Sequence, residues 1–195
     1  MLIAVSKASH CLNDLLHRWR TGGLAVDIVG VVSNHDTVRA LIEWNGIVFH
    51  YLPVDPDNRQ AQESAVAALM IEIPAETSIL ARYLQVLSVG FVTSLAGCCI
   101  NIHHSFLSGF KDTRPYHRAH ERGVKLIGAT AHFVTADLDE GPMIEQAVER
   151  VDHRASVDEL IWIERDIEAQ VLARVVRRVA ERRVLLNDRR AVVFR

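Results

Sequence analysis

Short apolar runs alternate with amphipathic stretches through the first half of this chain. Five of the runs predict buried strands, at residues 2–5, 26–32, 47–49, 78–81 and 98–102. Apolar residues at helical spacing predict helices between them, at residues 12–19 and 60–73. Strands that alternate with helices favour an α/β fold with a doubly wound, mostly parallel sheet, in which ligands bind beyond the carboxyl ends of the strands.

The second half of the chain has a different pattern. Two longer strands, at residues 126–135 and 143–148, are predicted to be joined by a turn that contains the sequence DLDEG. Ser156 and Glu159 have the spacing of a capping box at the start of a long C-terminal helix. One face of that helix is apolar, at Leu160, Ile163, Ile167, Val171, Val175 and Val179. Asn187 and Asp188 predict the turn of a final β-hairpin, so we expect this end of the chain to serve for packing.

Bulk composition narrows the class of protein. The 195 residues are 49% hydrophobic and 24% charged, which fits one domain with a full-sized core. A net charge of -2 gives no reason to expect nucleic acid or a membrane surface as a partner. The three cysteines, Cys11, Cys98 and Cys99, are odd in number and form neither a disulfide framework nor a zinc motif. We therefore expect a cytoplasmic protein with reduced thiols.

Two polar residues, Asn101 and His103, end the fifth predicted strand. Residues two apart point to the same face of a strand, so their side chains should project together. An amide N–H can hold a developing oxyanion, and an imidazole with an ordinary pKa of roughly 6.5 can transfer a proton. An aspartate from the turn at 136–142 could orient that imidazole. These are the parts needed to attack a carbonyl-like carbon, although capping and turn roles fit the same residue types.

Five short motifs follow one another between residues 101 and 142. They are NIHHSFL at 101–107, GFK at 109–111, PYH at 115–117, GVKLIGATAH at 123–132 and TADLDEGP at 135–142. In this order they resemble the folate-dependent formyltransferase superfamily and, within it, the formyltetrahydrofolate deformylase family. The resemblance extends over residues 3–194 and implies the formyltransferase type of sheet.

The resemblance implies an activity and a site. The reaction would be hydrolysis of 10-formyltetrahydrofolate to tetrahydrofolate and formate, which supplies formate for purine biosynthesis and balances one-carbon folate pools. Asn101, His103 and Asp139 would be the catalytic set, with water as the acceptor and no metal. Main-chain groups of two segments would bind the pterin, namely Arg82, Tyr83, Leu84, Gln85, Val86 and Leu87 in the first and Ala136, Asp137 and Leu138 in the second. For Val86 and Leu87, an ordinary core position is an equal alternative.

The same resemblance implies that folate is a substrate and that no cofactor is tightly bound. We also expect a homo-oligomer. The chain is expected to be a single catalytic domain, residues 1–195, without the N-terminal ligand-sensing (ACT) domain usual in the family. Ser108 stands where proline is usual and Asp112 where glycine is usual, and residues 66–77 match poorly. We expect these changes to alter the loop beside His103 and to leave the fold intact.

The loop after the first strand, SKASHC at residues 6–11, bears on the choice of acceptor. Superfamily members that formylate glycinamide ribonucleotide have a Gly/Ser-rich loop here, whose backbone N–H groups cradle a phosphate. This loop has no glycine, so the sequence favours water as the acceptor. Lys7 and His10 fit a position on the surface as well as they fit a position in the site. The alternatives are a transferase acting on that ribonucleotide and a catalytically weak folate-binding remnant. A metal hydrolase using His103, His104, His117 and His120 is a third, but no acidic ligand lies at motif spacing.

Overall fold

The computed structural model describes residues 1–55, 57–73, 75–85, 87–103 and 115–195, without the side chains of 71 and 115. Its strands are β1 (Leu2–Val5), β2 (Gly30–Ser33), β3 (Phe49–Tyr51), β4 (Ser78–Leu80), β5 (Cys99–His103), β6 (Leu126–Phe133) and β7 (Met143–Arg150). They form one sheet in the order β3-β2-β1-β4-β5-β6-β7. The first five are parallel, and β6 and β7 are antiparallel to their neighbours. The expected mostly parallel sheet is confirmed.

Helices cover both faces of this sheet. They are α1 (His10–Arg20), α2 (Arg39–Trp44), α3 (Arg59–Glu72), α4 (Val89–Ser94), α5 (Pro115–Glu121) and α6 (Val157–Ala180). One buried cluster joins the sheet to α1 and α6, and a second joins it to α3 and α4. The doubly wound arrangement is therefore confirmed. In the described ranges, no helix has both the length and the apolar character needed to span a bilayer.

The C-terminal elements follow the sequence prediction closely. In the capping box, the Ser156 hydroxyl accepts from the Glu159 N–H, and the Glu159 carboxylate accepts from the Ser156 N–H. A separate hairpin, β8 (Val184–Asn187) and β9 (Arg190–Val193), ends the chain. One expectation was incomplete, because α6 buries Glu164 and Glu168 along with its apolar side chains. This helix therefore contributes more than packing.

Two predicted strands start later than the apolar pattern indicated. β2 begins at Gly30 rather than at residue 26, and β3 begins at Phe49 rather than at residue 47. The reason is pairing, since β1 starts at Leu2 and Leu2 lies opposite Gly30. Residues 26–29, three of which are apolar, precede the first paired residues of β1 and β2 and lie outside the ladder.

The direction of winding reverses between β1 and β4, which leaves a crevice at their carboxyl ends. Ser6, the residue after β1, joins three strand ends there. Its hydroxyl donates to Asn34 Oδ1 (2.7 Å) beyond β2 and accepts from the Leu84 N–H (3.1 Å) beyond β4. Its own N–H donates to the carbonyl of Arg82. The hydrogen bonds of Ser6 therefore fix the base of the crevice at the edge where the polar residues of β5 emerge.

Candidate active site

Four polar side chains meet at the carboxyl end of β5. His103 Nδ1 lies 3.3 Å from Asp139 Oδ2, and His132 Nε2 lies 3.6 Å from Asp139 Oδ1. Asn101 Nδ2 lies 3.4 Å from His132 Nε2. The antiparallel pairing of β5 with β6 places Asn101 directly opposite His132. The structure thus brings together Asn101, His103 and Asp139, the three residues predicted as a catalytic set.

The turn after β6 is folded tightly enough to return Asp139 to the sheet. Asp139 has a left-handed backbone (φ 58°), which aspartate tolerates because its short side chain can bond locally. A Cβ on Gly141 would lie 1.7 Å from the carbonyl oxygen of Phe133, so only glycine fits there. The Phe133 N–H donates to the carbonyl of Pro142 and closes the turn (3.0 Å). This close return sets the position of the carboxylate beside His103.

His132 also belongs to the site, although nothing in its local sequence indicated a role. Its Nδ1 lies 2.9 Å from the carbonyl oxygen of Phe133. A carbonyl only accepts hydrogen bonds, so Nδ1 carries the hydrogen, and Nε2 of the neutral ring accepts from the Asn101 amide. The buried imidazole therefore fixes which way the Asn101 amide faces, and it leaves a second N–H available to a ligand. Only the pairing register, which no local pattern encodes, could have indicated this contact.

His103 is largely buried, and its surroundings decide its protonation. Burial lowers the pKa of its imidazole below the ordinary 6.5, and the negative charge of Asp139 acts in the opposite direction. His132 and Arg82 add to the lowering of this pKa, while Glu168 opposes it. The ring is therefore neutral at pH 7. With Nδ1–H directed at the carboxylate of Asp139, Nε2 is the ring nitrogen that can accept a proton and act as a general base.

A second polar cluster lies next to this site. Arg82 follows β4 with a left-handed backbone (φ 66°), a conformation that costs about 1–3 kcal/mol in a residue of this kind. Its Nη1 donates to Glu168 Oε1 (2.9 Å), while His10 Nε2 lies 2.5 Å from Glu168 Oε2. The sequence allowed either a surface or an inward position for His10, and the structure shows the inward one. The side chain of Lys7, by contrast, is exposed. The cluster joins the loop after β1 to the loop after β4.

Three side chains of metal-binding type also approach one another here. Ligand atoms of His10, Cys11 and Glu168 all lie within 4.8 Å of each other. Glu168 is already neutralised by Arg82, and burial raises the pKa of the Cys11 thiol, so the thiolate that binds metals is disfavoured. These residues therefore do not fit a metal site well.

The alternative metal site predicted from the sequence is also not supported by the residues that the structure describes. There, His103, His117 and His120 form no close group of metal-binding side chains. His117 and His120 are exposed on α5, and His103 faces Asp139. His104, the fourth member, lies outside the described residues, as do Ser108 and Asp112.

Among its described residues, the segment after β4 has one strongly exposed apolar side chain, that of Leu84. Tyr83 is buried, and its hydroxyl accepts from Gln62 Nε2 (2.6 Å), so its ring packs into the second core cluster. Leu84 is 60% exposed. Gln85 donates its side-chain N–H to the carbonyl of Leu84, and Leu87 packs against the second cluster. Val86 lies outside the described residues.

The turn after β6 presents a similar surface. Ala136 and Asp137 are exposed, and the carbonyl of Asp137 accepts from the Thr135 hydroxyl (3.0 Å). Leu138 is 60% exposed, the same fraction as Leu84. Each of the two segments named for folate thus offers one apolar side chain together with polar backbone groups, which suits a flat aromatic ligand with a polar edge.

Comparisons with known proteins identify the family of this chain. Residues 1–176 match the formyl transferase family. A formyltetrahydrofolate deformylase of Synechocystis sp. is 52% identical over 97% of this chain and 66% of its own length. The crystal structure of formyltetrahydrofolate deformylase from Burkholderia mallei has a TM-score of 0.96 at 55% identity, covering 100% of this chain and 69% of that one.

The name of a less similar protein of known structure indicates a different formyl acceptor. Glycinamide ribonucleotide transformylase 1 from Symbiobacterium toebii has a TM-score of 0.89 at 27% identity, covering 100% of this chain and 93% of that one. By contrast, the chain spans about two thirds of the length of the curated deformylase relatives it matches, for example 66% and 64%.

Proposed function

This chain belongs to the formyl transferase family, and from that premise we propose that it hydrolyses 10-formyltetrahydrofolate to tetrahydrofolate and formate. The observation that carries the proposal is the Asn101–His103–Asp139 cluster at the carboxyl edge of the sheet. It occurs in a chain about half identical to deformylases and about a quarter identical to ribonucleotide transformylases. The cluster has the donor, base and carboxylate that attack on a formyl carbon requires.

In the proposed reaction, His103 Nε2 takes a proton from water as the water oxygen attacks the formyl carbon. The carbonyl electron pair moves to the formyl oxygen, and the remaining N–H of the Asn101 amide donates to this oxyanion. The imidazolium then returns its proton to N10 as the C–N bond breaks, releasing tetrahydrofolate and formic acid, which ionises to formate. Asp139 accepts from Nδ1–H throughout, so Nε2 remains the atom that exchanges the proton.

Folate would lie between the two segments described above. Leu84 and Leu138 would contact the faces of the pterin, and backbone groups of 82–87 and 136–138 would pair with its edge. Folate is thus a substrate in this proposal, and no tightly bound cofactor takes part.

Release of formate from 10-formyltetrahydrofolate, with and without glycinamide ribonucleotide, tests the function directly. We expect formate in both cases, no formylated ribonucleotide and no inhibition by it. The loop after β1 carries side chains at Ala8, Ser9 and His10 that hinder a phosphate from reaching backbone N–H groups. Formylated ribonucleotide produced as fast as formate would make the chain a transferase. Tight folate binding without turnover would make it a binding protein.

We further propose that the protein is cytoplasmic and forms a homo-oligomer. The cysteines within the described residues are unpaired thiols, as expected in a reducing compartment. β7 ends the sheet and exposes Met143 (58%) and Val148 (45%), which favours a contact with another copy. Sedimentation velocity should show a species larger than 21.9 kDa at micromolar concentration. A monomer at all concentrations tested would contradict the homo-oligomer.

A further inference from the structure

Glu168 is the most deeply buried charged side chain near the candidate active site, at 1% exposure. Both of its carboxylate oxygens are engaged, Oε1 by the guanidinium of Arg82 and Oε2 by the imidazole of His10. These partners lie 86 and 158 residues away along the chain. A buried carboxylate is expensive unless it is paired, so this arrangement holds Arg82 and His10 firmly in place.

Glu164, one turn earlier on α6, provides a natural contrast. It is also buried, at 3% exposure, and it hydrogen-bonds to Tyr116 of α5. Burial raises the pKa of Glu164 to about 8, and the charge of Glu168 adds to the effect, so Glu164 is neutral at pH 7. Two neighbouring glutamates on one helix therefore differ in charge because, among the described residues, the cation Arg82 pairs with Glu168 and not with Glu164.

The position of Arg82 links Glu168 to His103. β4 and β5 are parallel, with Leu80 opposite Asn101. Arg82 and His103 follow these paired residues by two positions each, and they are close enough for the charge of Arg82 to act on the His103 imidazole. The charges of Arg82 and Glu168 act on His103 in opposite directions, in addition to that of Asp139. The ion pair is thus electrostatically part of the site.

We propose that Glu168 is a positioning residue for the hydrolysis, which fixes the loops after β1 and β4 beside His103 and balances the charge of Arg82 at the imidazole. The inference rests on the proposed function. Arg82 begins the segment that faces folate, so loss of its anchor should weaken formyl-folate binding. His10 begins α1, so the same carboxylate also fixes the loop that stands in the way of a phosphate.

The effect on pH dependence has a definite sign. The groups around Glu168 are His10 and Cys11 of α1, Arg82 after β4, Tyr116 of α5 and Glu164 of α6. Removing the charge of Glu168 leaves that of Arg82 unbalanced, which disfavours the imidazolium form of His103 and lowers its pKa further. Because a protonated His103 cannot act as a base, the acidic limb of the rate profile should move to lower pH.

Glu168→Gln and the matched control Glu164→Gln test the proposal. For Glu168→Gln we expect the acidic limb to move to lower pH and KM for 10-formyltetrahydrofolate to rise roughly tenfold, as a lost charge-assisted hydrogen bond allows. Glu164→Gln replaces a neutral carboxylic acid by a neutral amide. Below pH 7, the acidic limb of its rate profile and its KM should therefore match those of the wild type. An unchanged limb and KM in Glu168→Gln, or equal changes in both variants, would overturn the proposal.

Glu168→Asp keeps the inference testable if the glutamine variant does not fold. It preserves the charge but shortens the reach, so KM should rise while the acidic limb stays in place; an unchanged KM would count against the proposal. The His103 titration, followed by NMR, needs no turnover. If the wild-type protein releases no formate, the proposed function is wrong. A lowered His103 pKa in Glu168→Gln would still separate a charge-balancing role for Glu168 from a merely structural one.

Discussion

Replacing His103 by alanine should reduce formate release from 10-formyltetrahydrofolate by about 10²–10⁴-fold, the usual contribution of a positioned acid–base group. The variant removes the group that takes the proton from water and returns it to N10. Folate binding should change little, because Leu84, Leu138 and the backbone of the two neighbouring segments are untouched. Formate release measured at saturating substrate, with the Kd for tetrahydrofolate, separates the two effects.

His120→Ala is the control for this prediction. His120 is exposed on α5, one residue before the helix ends at Glu121, and belonged to the alternative metal site. Its loss should leave hydrolysis within about twofold of wild type, as for a surface substitution. If the His103 variant kept activity within tenfold of wild type, or if the His120 variant lost as much activity, the assignment of the base would be wrong.

Asp139→Asn should lower kcat by about 10²-fold or more, because the amide can donate to His103 Nδ1 and so favours the wrong tautomer. The charge of Asp139 opposes the lowering of the His103 pKa, so its removal lowers that pKa further. The remaining activity should therefore persist to lower pH than in wild type. A pH–rate profile of the variant measures both effects at once.

Glu140→Gln is the matched control for Asp139→Asn. It removes one negative charge from the adjacent, exposed position of the same turn. The acidic limb and kcat should stay close to wild type, since solvent screens an exposed charge. Equal effects in the two variants would mean that the general charge of the turn, and not the contact with His103, sets the activity.

Periodicity along the chain was enough to predict most of the fold. Apolar runs and helical spacing predicted the strands of the sheet and the helices α1, α3 and α6, and the Ser156–Glu159 capping box marked the start of α6 to the residue. Helices α2, α4 and α5 were not predicted. These features depend on neighbours a few residues apart, which is the range over which a sequence pattern can be interpreted. The ordered motifs from 101 to 142 also predicted that Asn101, His103 and Asp139 belong together, and the structure brings these three side chains together.

Strand ends were less predictable, because pairing and not hydrophobicity decides them. Residues 26–29, three of which are apolar, were predicted as strand, but the pairing of β1 with β2 begins at Leu2 and Gly30. An apolar run shows that a segment is buried; it does not show where a partner strand begins.

Only the tertiary structure decided which polar residues surround His103. His132 acquires its role from a register that places it opposite Asn101, 31 residues away. Glutamate side chains on a helix are mostly exposed to solvent, yet Glu164 and Glu168 are both buried. Glu164 is neutral, and Glu168 is paired with Arg82 and His10. The physical reason is that the protonation and burial of a carboxylate depend on the charges packed against it. Those charges come from α1 and β4, far away in the sequence, and only folding brings them to α6.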